Sequence, residues 1–172
     1  YCEMFGNGAW NDAEEAHNFT TQFLVEWDGG SLGTNYCTAN PNSTGATGAI
    51  SASGSLVVSD NDLTLTATDL PNAAFGFFLT SQTQGFVQNP GGSAGNLCLG
   101  GAIGRFVGPG QIQNTGKSGE ISLVVDLTQV PTPTGIVAIL PGQTWNFQAW
   151  HRDAVGGSAT SNFSDGIEAM FF

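Results

Sequence analysis

Two glycine-rich strings are the first places where this sequence could do chemistry. Gly91-Gly92-Ser93-Ala94-Gly95 has the G-x-S-x-G spacing of a hydrolase nucleophile, and Gly110 through Gly116-Lys117-Ser118 imitates a phosphate-binding loop. A nucleophilic serine of that kind needs a strand before it and a helix after it. Here Gln88-Asn89-Pro90 precedes the string and Gly95-Asn96 closes it, which are turn formers. The second string is one residue too long, with Gln111 where the phosphate loop requires glycine. Both read as loops. His17 and His151 are the only histidines and stand far apart. No spacing ties either to a metal set or a Ser-His-Asp triad. The chain reads as non-catalytic, with no resident cofactor.

Binding candidates are better formed. Asp60-Asn61-Asp62 could offer oxygen ligands to calcium, although Asp and Asn are also ordinary turn residues. In the stretch 144–152, strand alternation sends Trp145, Phe147, Ala149 and His151 one way and Asn146, Gln148, Trp150 and Arg152 the other. With the first set in the core, Trp150 stands outside among amide and guanidinium groups. An apolar plate edged by hydrogen-bonding side chains is what a sugar ring stacks on. The competing expectation is that a loop covers Trp150, or that Arg152 packs on it. Asn18, Asn42 and Asn162 open N-glycosylation sequons, which arise often by chance in an Asn/Thr-rich chain.

Cys37 and Cys98 adjoin turn residues and lie in no zinc-like spacing. Joined, they would close a loop of roughly 60 residues, adding about 4 kcal/mol in the chain-entropy account. Two buried thiols are the alternative. Cys2 is then odd, either free or paired with another chain.

Charge narrows the partners. There are 14 acidic residues against Arg105, Lys117 and Arg152, for a net charge of −11. A phosphate backbone requires clustered cations, so nucleic acid is excluded as a partner class. Anionic lipid is disfavoured for the same reason, and no apolar run is long enough to span a membrane.

The elements that must position these residues are short strands. The 172 residues include 25 glycines and only 10% charged side chains, a composition of tight turns and β-structure. Asn11 to Glu14 fits a capping pattern for a helical turn through Ala16. Phe19, Thr21, Phe23, Val25 and Trp27 then share one strand face. Ile50 to Val58 and Leu63 to Ala67 alternate around a turn at Asp60–Asp62. Further strands are expected at 75–79, 97–107, 121–125, 144–152 and 167–172, about nine in all. The expected fold is all-β: a two-sheet antiparallel sandwich, immunoglobulin- or fibronectin-III-like, with a jelly roll as the alternative. Residues 1–32 form an N-terminal extension and 33–172 the sandwich.

Several strings in 33–172 carry a resemblance. They are Asn35-Tyr36-Cys37, Pro41-Asn42-Ser43-Thr44-Gly45, Asn61-Asp62-Leu63-Thr64-Leu65, Gly95-Asn96-Leu97-Cys98 and Gly104-Arg105-Phe106. The most distinctive is Pro141-Gly142-Gln143-Thr144-Trp145-Asn146-Phe147-Gln148, followed by Arg152-Asp153 and Ser161-Asn162-Phe163. This part resembles a C-terminal-type β-sandwich module recurrent in secreted proteins of planctomycetes and other environmental bacteria. The resemblance implies secretion, hence an extracellular or cell-surface place, and the Cys37–Cys98 bridge. It implies no catalysis and no ligand.

Two functions fit these observations. The first is a structural subunit of a self-assembling filament or cell-surface layer, in which copies of the chain are the partners. Phe19, Phe23, Val25 and Trp27 would add to a neighbour's sheet and Cys2 would lock subunits together. The second is a carbohydrate-binding module, attached to or accompanying an extracellular polysaccharide-degrading enzyme, with Asn146, Gln148, Trp150 and Arg152 as its platform.

Overall fold

The computed structural model describes residues 31–172 and the backbone of two short strands before them. The expected helical turn through Ala16, the strand at 19–27 and Cys2 lie outside the described residues. In chain order the strands are β1 Glu3–Met4, β2 Trp10–Asn11, β3 Thr34–Tyr36, β4 Ala49–Gly54, β5 Leu63–Thr68, β6 Phe75–Ser81, β7 Thr83–Gln88 and β8 Asn96–Gly100. They continue with β9 Gly104–Arg105, β10 Gln113–Asn114, β11 Ile121–Val125, β12 Val130–Thr132, β13 Gly135–Val137, β14 Thr144–Val155 and β15 Ser158–Met170. No α-helix occurs among the described residues. The protein is an all-β antiparallel sandwich.

One sheet runs β11-β5-β4. The other runs β10-β6-β14-β15-β3, with β9 also paired to β6. The three strands β4-β5-β11 of one layer and β6-β14-β15 of the other follow the A-B-E and C-F-G order of immunoglobulin-type sandwiches. Alternation explains the core. Leu63, Leu65 and Ala67 of β5 and Ile121, Leu123 and Val125 of β11 point inward, where they meet Phe78, Trp145, Phe147, Ala149 and Ile167 of the facing sheet. Burying an aliphatic or aromatic side chain of this size contributes roughly 1.5–3 kcal/mol.

The expected two-sheet sandwich has an added third layer. The β7–β8 hairpin lies over the outer face of β6, β14 and β15, where Leu79, Leu99 and Phe163 form a second cluster with Phe77, Leu97, Ile103 and Trp150 around it. Strand β7 is polar and was not expected. The expected strand 97–107 is broken into β8 and β9 by a turn at Gly101, whose φ of 61° suits glycine. Leu56 and Val58 leave the strand after β4 and pack at the rim of the main core. Ser31 and Leu32, placed by sequence in the extension, belong to the sandwich. Leu32 N donates to Ala52 O at 2.7 Å, and its side chain enters the main core.

Strands β14 and β15 form a long hairpin closed by Gly156-Gly157, both at positive φ, as a two-residue hairpin turn of this type requires. The ladder slips between Gln148 and Trp150, where Ser164 and Asp165 of β15 bulge. Ser164 Oγ replaces the missing backbone partner by accepting from Ala149 N at 2.9 Å. The bulge reverses parity along β15. Ile167 and Ala169 face the main core, whereas Phe163 faces the outer cluster.

Candidate ligand-binding cleft

The outer face of β14 carries Asn146, Gln148 and Trp150, as alternation predicts, but the β7–β8 layer divides them. Gln148 is fully buried. Its Oε1 accepts from Cys98 N at 2.9 Å, and its Nε2 donates to Asn96 O at 2.9 Å and Ser164 O at 2.7 Å. Asn146 is buried too and donates to Ser81 O at 3.2 Å. Both were expected on a glycan platform. The covering hairpin removes them from it, because a buried amide is spent on the backbone it satisfies.

Cys98 sits on β8 and is bonded to Cys37, just past the edge strand β3, with a Cα–Cα distance of 6.2 Å. The bridge staples the hairpin layer to the sheet edge. Tyr36 reinforces it by donating from its hydroxyl to Cys98 O at 3.2 Å. Burial pushes the Tyr36 phenol well above its ordinary pKa, and the negative charge of Glu168 adds to the effect.

Beyond the hairpin, Trp150 is half-buried and its ring lies 4.9 Å from that of Phe77, tilted by 31°. These two rings, with Leu97, Ile103 and Phe163, line a cleft of about 510 Å³. Arg105, Ser161 and the Pro90-Gly91 turn also line it. A second depression of about 330 Å³ shares Trp150, Gly91 and Ser161 with the first and carries Arg152. A wider hollow of about 660 Å³ near the tip of the β14–β15 hairpin is lined by Asn40, Pro41, Val155 and Thr160, with neither an aromatic nor a charged side chain among its walls.

Of the remaining candidates, only Ser93 adjoins the cleft among the described residues, lining the second depression. Ser93 of the G-x-S-x-G string is buried, and its Oγ donates to Ser161 O at 2.8 Å. His151 occupies the inner face of the sheet, fully buried, with Nδ1 3.1 Å from Arg152 O and no partner for Nε2. The structure does not bring these two together. Asp60 accepts from Ser55 Oγ at 2.5 Å in a loop held by Asn61, whose Oδ1 accepts from Leu127 N at 2.7 Å. Asp62 is exposed beside it. Among the described residues no three acidic, histidine or cysteine side chains are grouped to hold a metal ion. Of the sequons, Asn42 and Asn162 are buried: Asn42 donates to Asp69 O at 2.7 Å, and Asn162 to Asp153 Oδ2 at 3.2 Å. Neither amide is presented for glycosylation. Asn18 lies outside the described residues.

Sequence reasoning missed Phe77, Leu97, Ile103, Phe163 and Arg105 as cleft residues. Arg105 had a legible signal, being one of three cations in the chain. The others required the hairpin's placement. No known protein family, curated protein or solved structure matches the chain. Function is therefore read from the side chains.

Proposed function

We propose that this chain is a non-catalytic extracellular module that binds carbohydrate in the Trp150 cleft. The observation that carries the reading is the half-buried Trp150, backed by Phe77 at 4.9 Å and lining a cleft that also carries Arg105 and Ser161. A rigid indole supplies apolar area for the C–H face of a sugar at low entropic cost, and the polar side chains beside it supply hydrogen bonds. An extracellular place is supported by the Cys37–Cys98 bridge, since disulfides persist in oxidising surroundings. The strongly acidic composition suits saline surroundings that screen self-repulsion.

Retention on a panel of insoluble and gel-immobilised polysaccharides tests the reading. Trp150→Ala is expected to abolish retention while the β-sheet circular dichroism is kept. Because Trp150 also packs on Phe77, the variant should lose roughly 1–2 kcal/mol of stability rather than none. Unchanged retention by a folded Trp150→Ala protein sinks the proposal.

A second reading, a subunit of a filament or cell-surface layer, is favoured by the apolar alternation of Phe19, Phe23, Val25 and Trp27 and by the odd Cys2. It requires self-association without ligand, which size-exclusion chromatography measures directly.

A further inference from the structure

The chain carries 14 acidic residues and three basic ones. Two of those three, Arg105 and Arg152, flank the same tryptophan from adjoining depressions. Both side chains are exposed. Among the described residues, neither has a carboxylate within 4.0 Å, and neither guanidinium stacks on a ring, Trp150 being paired instead with Phe77. Both guanidinium groups are thus unpaired among the described residues, and they line the aromatic cleft and the depression beside it.

We infer that the two depressions form one trough for an acidic saccharide, in which a ring stacks on Trp150 while Arg105 and Arg152 bind carboxylate or sulfate groups on either side. The inference rests on the carbohydrate reading of the cleft and adds the charge of the ligand. A guanidinium presents paired N–H donors that match a carboxylate or sulfate oxygen pair, a geometry a neutral sugar cannot use fully. The whole-molecule charge of −11 acts against an anion at long range. At about 0.1 M salt that repulsion is screened beyond roughly 10 Å, whereas two direct contacts are not. Local cations therefore decide binding. Because the two depressions share Trp150 as a wall, the ligand spans at least two sugar residues.

The test is affinity electrophoresis of the full chain at about 0.1 M salt, with polygalacturonate, dextran sulfate or neutral galactomannan and xylan cast in the gel. Mobilities are normalised to a gel without polysaccharide. Retardation by polygalacturonate or by dextran sulfate is expected, and the arm that responds identifies the anionic group. Arg105→Gln and Arg152→Gln should each weaken it about tenfold, the scale of one lost charge-assisted contact. Both side chains are exposed, so neither change should unfold the protein. Lys117→Gln makes the same charge change outside the trough and should leave binding unchanged. Four results would overturn the inference. Retardation by neutral gels alone, lost in Trp150→Ala, removes the acidic ligand and leaves the carbohydrate reading standing. No retardation in any gel removes both. Undiminished binding by the Arg105→Gln, Arg152→Gln double variant removes the site, and so does equal weakening by Lys117→Gln.

Discussion

Gln148 has no exposed surface, yet both ends of its amide are engaged, one by Cys98 N and the other by the carbonyls of Asn96 and Ser164. It is the polar bolt between the sheet and the β7–β8 layer. Gln148→Leu keeps the volume but leaves one N–H and two C=O groups without their partner. Each buried unsatisfied group costs about 1–3 kcal/mol, so urea unfolding should show a loss of several kcal/mol. A loss under 1 kcal/mol would mean that the hairpin is held by the disulfide and apolar contacts instead. The direction of this side chain was legible in the sequence, because alternation along 144–152 is regular. Its burial was not, because nothing in the period-two pattern says which polar hairpin folds back over an outward face. His151 shows the reverse case. Its inward direction was legible, and burial now dictates its chemistry. Desolvation holds its pKa below the ordinary 6.5, against the opposing pull of the Arg152 carbonyl and the Asp153 charge. The unfolded chain takes up this proton near pH 6.5 and the folded chain only at lower pH. The contribution is therefore fully present above pH 6.5 and is lost as pH falls through the folded value, at up to about 1.4 kcal/mol per pH unit. Proton NMR should find the buried imidazole titrating below the ordinary 6.5. Titration at or above 6.5 would contradict its burial. Asp153 acts in a lower range: burial raises its pKa, but hydrogen bonds from Ser43, Ala154 and Asn162 outweigh that and leave it lowered.

Bulge, hairpin and disulfide set the cleft at the level of elements. Without the slip at Ser164-Asp165, Phe163 would share parity with Ile167 and point into the main core. With it, Phe163 turns outward and floors the space beside Trp150. The bulge also frees Asp165 to reach the facing layer, where its carboxylate accepts from Ile50 N at 2.8 Å. Gly166, a glycine within the strand, is the one residue here that hints at a bulge, but it does not tell a bulge from the turn that the Ser-Asp-Gly string also fits. Strands β5 and β11 were legible because Leu63, Leu65 and Ala67, and Ile121, Leu123 and Val125, alternate without interruption. Strand β7 was not, since Thr83-Gln84-Gly85-Phe86-Val87-Gln88 has no buried face to write a pattern: five of the six residues are exposed. The Cys37–Cys98 bridge ties this weakly patterned hairpin down across 61 residues of chain. Replacing both cysteines by serine should lower stability by about 4 kcal/mol in the chain-entropy account. The loss should be uneven. Amide exchange should speed up most in β7 and β8, while β5 and β14 keep their protection. Uniform acceleration through both sheets would show that the bridge supports the sandwich as a whole.

Across the whole molecule, the described residues bring together two apolar clusters. The main cluster runs from Leu32 to Phe171, and the outer cluster is covered by the chain's own hairpin. The A-B-E and C-F-G strands of the two layers all lie within 31–172. Four large apolar side chains, Phe19, Phe23, Val25 and Trp27, still have to dock, since a soluble monomer rarely leaves such a patch in water. Deleting residues 1–28 separates the two functional readings, and the cut spares Ser31 and Leu32, which belong to the fold. The truncated chain is expected to keep its β-sheet circular dichroism and cooperative unfolding. It should also keep its Trp150-dependent retention on polysaccharide, because every described cleft residue lies beyond the cut. Size-exclusion chromatography of both chains supplies the second readout. A full chain that self-associates and a truncated chain that does not would assign the strand to contacts between copies, the step on which a filament or surface layer depends. A full chain that is monomeric, with a truncated chain that unfolds, would place the strand in its own core and end the assembly reading.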